Sequence, residues 1–108
     1  MNKINILGTE YTYKTNCDEK DYPLLKVNEA YTDHSTKEII VSKREHARLA
    51  SEKSFYNKVN RHEIIHAMLY ESGLDCNTDW ACNEEMVDWF AIQYPKLTEI
   101  YKELGIEG

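Results

Sequence analysis

His62-Glu63-Ile64-Ile65-His66 sets two imidazoles four residues apart, with a carboxylate beside the first. On a 3.6-residue helical repeat, positions i and i+4 stand one above the other, so both ring nitrogens can converge on one zinc ion at about 2.0–2.1 Å. Glu63 then projects toward a water that the metal acidifies, and can accept its proton. The same residues could instead sit on a solvated helix face, but Val59, Ile64, Ile65, Ala67, Met68 and Leu69 make the segment apolar nearly all round. That pattern marks a buried helix, where two histidines and a glutamate need partners.

Two histidines leave a catalytic zinc one protein ligand short. Asn83-Glu84-Glu85-Met86-Val87-Asp88-Trp89-Phe90-Ala91 offers it: Glu84 lies eighteen residues after His66, room for a helix end, a loop and an antiparallel return. Asp88, one turn further on the same face, can accept a hydrogen bond from the outer nitrogen of a ligating histidine and raise its basicity. Glu85 is the competing ligand, but it points about 100° away around the helix and cannot share the Asp88 face. Like charges at i and i+4 destabilise a helix unless a cation compensates, and no opposite-sign partner accompanies this pair.

These two segments together resemble the gluzincin metallopeptidases, whose paired helices carry H-E-x-x-H and E-x-x-x-D. The similarity is nearest to the small phage-associated proteins related to the ImmA/IrrE group and to the single-domain minigluzincins. The resemblance is specific over residues 62–66 and 83–91 and looser over 38–104. It implies zinc held by His62, His66 and Glu84, Glu63 as general base, Asp88 as the buttress of a ligating histidine, and a protein or peptide substrate such as a regulatory protein of a mobile element. It also implies that an extended peptide adds along a strand edge, for which Lys37–Ser42 is the candidate. The chain departs from the larger gluzincins in lacking a C-terminal subdomain and the Tyr or His that stabilises the oxyanion there. Tyr31, His34, His46, Tyr56 and Tyr94 are the residues of that type, none with a positional argument. A zinc-stabilised interaction or regulatory domain with little or no turnover is the rival expectation; Glu63, which binds no metal, argues for the enzyme.

The elements that must position these residues read as strands first and helices afterwards, an α+β layout. The expectation is one zincin-like domain over 1–108, with an N-terminal antiparallel β-sheet packed on the H-E-x-x-H helix and on a C-terminal glutamate-bearing helix. Ile4 and Ile6 begin a strand that Gly8 interrupts and Tyr11 and Tyr13 resume. Asn16–Asp21 is a polar turn, and Leu24–Val27 reads as a short strand or a helical turn. Segments 29–32 and 38–42 flank Asp33-His34-Ser35-Thr36 as a hairpin. Ser42 and Glu45 suggest a capping box for a helical stretch over 43–49, interrupted at 51–54. The metal helix then spans about 55–72 and stops at Gly73 in the left-handed conformation. A last helix begins near 79–83, is kinked or restarted at Pro95, and ends at Gly105.

With 108 residues, 42% of them hydrophobic and 11% aromatic, the chain has the composition of one globular domain. No stretch approaches the ~20 apolar residues of a membrane span. The first eight residues lack signal-peptide order, and Cys17, Cys76 and Cys82 are an odd count with no framework spacing. Free thiols and a cytoplasmic location are expected. A net charge of −6 opposes a general nucleic-acid role. The basic stretch from Lys43 through Arg44, Arg48, Lys53 and Lys58 to Arg61 reads as a solvated face, with nucleic-acid association as the weaker alternative. Oligomeric state is not legible.

Overall fold

The computed structural model describes residues 2–43 and 50–108, without the side chains of Ala50 and Ser51. It is α+β, as expected, with strands in the first half and helices in the second.

Strands β1 (Asn2–Ile6) and β2 (Thr9–Cys17) form a hairpin in which Ile6 faces Thr9. Leu7 and Gly8 both have positive φ, 51° and 94°, as a two-residue turn matched to strand twist requires. The Asn5 side chain closes this turn by accepting from the Gly8 N–H at 2.8 Å. Gly8 therefore reverses the chain where the alternating pattern suggested one interrupted strand.

A 3₁₀ turn at Pro23–Lys26 decides the ambiguous Leu24–Val27 segment in favour of a helical turn. Strands β3 (Ala30–Asp33) and β4 (Glu38–Ser42) follow as the expected hairpin. Asp33 Oδ1 accepts from the N–H groups of Ser35 and Thr36, holding its loop.

The four strands are ordered β1-β2-β4-β3, and β2 and β4 run parallel. The sheet is thus mixed, not antiparallel throughout, and β4 is an inner strand, not the expected edge. The reason lies in Ile39-Ile40-Val41, which are all buried. Ile39 and Val41 pack with Ile6, Tyr11, Ala30, Val59 and Ala67, whereas Ile40 packs with Cys17 and Leu25. A strand apolar on both faces has to be covered on both. Residues 18–37 supply the long crossover that a parallel pair needs, leaving β3 at the edge.

Helix α1 spans Ala50–Glu71 without interruption at 51–54. The capping box and helical stretch expected at 43–49 fall mostly on residues 44–49, outside those described. Val59, Ala67 and Ile64 face the sheet, while Phe55 and Met68 are exposed. The helix is therefore one-sided in its burial, less enclosed than its apolar flanks suggested. Its end is tied to the sheet through Glu71, whose carboxylate accepts from Thr9 Oγ1 (2.8 Å), Tyr11 OH (2.6 Å) and Lys37 Nζ (2.8 Å). These three donors offset the unfavourable placement of an anion at a helix C-terminus. Gly73, at φ 84°, takes the left-handed conformation.

A short helix α2 (Leu74–Asn77) and a 3₁₀ turn (Trp80–Cys82) lead to helix α3 (Glu84–Leu104). Asn83 caps α3 by accepting from the Met86 N–H at 2.9 Å, and Gly105 ends it at φ 67°. Pro95 lies inside this continuous helix. Lacking an N–H, it leaves the carbonyl of Ala91 without its helical donor. Arg61 Nε from α1 donates to that oxygen at 2.7 Å, so α3 passes through its proline while being pinned to α1. No helix among the described residues is long and apolar enough to cross a membrane.

Candidate metal centre

Helix α1 presents His62 and His66 on one face, with their Nε2 atoms 3.0 Å apart. The carboxylate of Glu84, first residue of α3, reaches both rings: Oε1 is 2.6 Å from His66 Nε2 and Oε2 is 3.3 Å from His62 Nε2. Ligand atoms of all three residues lie within 4.8 Å of one another. Zinc ligands at about 2.0–2.1 Å in tetrahedral array stand roughly 3.3 Å apart, so these separations suit a shared small cation. The histidine side chains are only 14% and 15% exposed, that of Glu84 72%, and the cluster therefore opens to solvent on the Glu84 side.

His62 Nδ1 lies 3.1 Å from Asp88 Oδ1. An ionised carboxylate only accepts, so in this contact Nδ1 is the donor, and a neutral ring held in that way would turn its Nε2 lone pair toward His66 and Glu84. Lys58 Nζ donates to the same Asp88 oxygen at 3.0 Å. Burial opposes ionisation of Asp88, but the hydrogen bonds from Lys58 and His62 outweigh it and hold the carboxyl below the usual carboxylate range. The cationic partner missing from α3 is thus supplied by α1.

Glu63 is the one charged residue among the buried described residues, 8% exposed. Its Oε1 accepts from Thr32 Oγ1 on strand β3 at 2.8 Å, and the same hydroxyl stands 2.9 Å from the Glu63 main-chain carbonyl. Burial raises its pKa above the ordinary carboxylate value, against the Thr32 hydroxyl and the two imidazoles, which lower it; Glu84 adds to the rise. Two cavities share Glu63 and Ala30: one of about 160 Å³ reaches His62, Lys58 and Asp88, the other, of about 230 Å³, reaches His66, Glu84, Tyr31 and His34. Together they follow edge strand β3 past the cluster.

The four residues expected from the two motifs, His62, His66, Glu84 and Asp88, therefore meet, with Glu63 beside them. Glu85 lines a different cavity. Of the aromatic and imidazole candidates, Tyr31 and His34 border the site, Tyr56 packs on the core cluster, Tyr94 is exposed on α3, and His46 lies outside the described residues. The His34 ring stacks on Tyr70 with centroids 4.1 Å apart. Its Nδ1 is buried without a hydrogen-bond partner, and burial pushes its pKa down. The roles of Thr32 and Lys58 are not visible in the sequence, because their partners lie about thirty residues away on other elements.

No protein family, characterised protein or solved structure matches the chain. The functional reading consequently rests on residue chemistry and geometry.

Proposed function

We propose that the chain is a zinc-dependent peptidase. One observation carries this reading: two imidazole nitrogens and a carboxylate from separate helices converge, while a second carboxylate, that of Glu63, is buried next to them without joining the cluster. A purely structural site has no use for Glu63, and a buried carboxylate met by a single hydroxyl donor is costly. His62, His66 and Glu84 would hold the ion, with Asp88 fixing the tautomer of His62. A bound zinc would supply Lewis-acid polarisation of a peptide carbonyl and acidify a water.

Glu63 accepts the proton of the attacking water as its oxygen bonds to the carbonyl carbon, then returns that proton to the amide nitrogen as the C–N bond breaks. Thr32 orients this carboxylate. Among the described residues β3 is an edge strand, whose outer side presents backbone donors and acceptors along which an extended peptide can lie, whereas β4 is paired on both sides.

The test is digestion of a broad peptide library by the zinc-loaded protein, read by mass spectrometry. Wild type is expected to create new termini, and Glu63→Gln to bind zinc yet create none. Cleavage that persists in Glu63→Gln removes its role. Stoichiometric zinc with no cleavage by wild type favours the rival, a zinc-held interaction domain.

A further inference from the structure

A cavity of about 690 Å³ lies away from the metal cluster and is lined by Asp79, Trp80, Asn83, Glu85, Met86 and Trp89. Its walls are of two kinds. Trp80, Met86 and Trp89 give exposed apolar surface, the indoles being 41% and 54% exposed. Asp79 and Glu85 add two carboxylates with no cationic partner among the described residues. The indoles are also held in place: Phe90 contacts both, its ring centroid 6.4 Å from that of Trp80 and 5.4 Å from that of Trp89. The buried Ala81 and the Asn83 cap fix the turn that carries Trp80.

We propose that this cavity receives an arginine side chain of a partner peptide segment. Indole faces attract a cation through the ring quadrupole, best when it is partly desolvated. A planar guanidinium can lie flat on an indole and still offer paired N–H donors to a carboxylate, which a compact ammonium cannot do as well. The thioether of Met86 adapts to the aliphatic stem. An apolar ligand would leave two carboxylates to be desolvated without a counter-charge. The net charge of −6 steers basic segments toward the protein.

Glu85 follows Glu84 and points about 100° away around α3, so the cavity and the metal cluster occupy different sides of one helical turn. Arginine capture does not depend on zinc, and the two proposals stand or fall separately.

The chain contains two tryptophans in all, and both line this cavity, so intrinsic fluorescence reports on it directly. The zinc-loaded and the zinc-free protein are each titrated with the peptide acetyl-Gly-Gly-Arg-Gly-Gly-amide, and with the same peptide carrying citrulline, norleucine or trimethyllysine in place of arginine. The arginine peptide should give a saturable change in both preparations, with citrulline at least about fivefold weaker and norleucine weaker still. Glu85→Gln and Asp79→Asn should each weaken arginine binding about three- to tenfold while far-ultraviolet circular dichroism stays unchanged. Absence of a saturable change, equal binding of citrulline or norleucine, tighter binding of trimethyllysine, or indifference to both substitutions in folded protein would overturn the proposal.

Discussion

Arg61→Met tests how the two ligand-bearing helices are fastened together. The substitution keeps most of the aliphatic stem, so packing is largely retained, and removes the donor that Ala91 O receives at 2.7 Å. Ala91 is fully buried, and Pro95 cannot supply the missing N–H. A charged donor to a buried carbonyl contributes about 1.5–3 kcal/mol, and its loss leaves an acceptor dry and unmade. For a chain of this size each kcal/mol shifts Tm by roughly 4–8 °C, so Arg61→Met should melt well below wild type. The decisive comparison is the same substitution in a Pro95→Ala background. Alanine restores the helical N–H to the Ala91 carbonyl, so Arg61→Met should then cost no more than about 1 kcal/mol, the usual net value of a neutral hydrogen bond that retains an alternative. Urea unfolding of all four proteins yields the coupling energy, expected at about 1 kcal/mol or more. Equal cost of Arg61→Met in both backgrounds would refute the carbonyl as the group that Arg61 serves.

Other consequences concern the network and the site. Glu71, held by three donors, has its pKa depressed from 4.5 to about 2; a lowered folded-state value stabilises above the unfolded pKa, so stability should fall as pH drops from about 4.5 to 2. Glu71→Gln should flatten that part of the stability–pH curve, and an unaltered curve would show the network to be idle. Asp88→Ala should weaken zinc binding about 10–100-fold by calorimetry, whereas unchanged affinity would deny its hold on His62. Thr32→Val removes the hydroxyl donor to buried Glu63 and should destabilise the protein by about 1–2 kcal/mol; a neutral effect would mean that the Glu63 carboxylate finds another partner.

The chemistry of the site was legible because it is written at helical spacing. His62 and His66 share a face by periodicity, Asp88 follows Glu84 by one turn, and Gly73 and Gly105 mark helix ends that the structure places in the left-handed region. What was not legible depends on contacts between distant segments. Lys58 and Arg61 read as a solvated basic face, yet one serves Asp88 and the other the carbonyl orphaned by Pro95. The strand at 38–42 was recognisable, but its place at the centre of the sheet follows from Ile40 finding cover opposite Ile39 and Val41, which depends on where residues 18–37 cross. The parallel pairing with β2 has no local signature. Leu7-Gly8 lacks the Asn-Gly or Asp-Gly signal of a tight hairpin, and the asparagine that assists it stands two residues earlier, at Asn5.

Zinc content per chain is the most direct test of the site. Protein purified without added metal, then equilibrated with zinc and desalted, should hold about one ion per wild-type chain by elemental analysis. His66→Ala and Glu84→Ala should hold far less while remaining folded. A wild-type chain that retains no zinc, or variants that retain as much as wild type, would contradict the convergence of His62, His66 and Glu84 on a single metal.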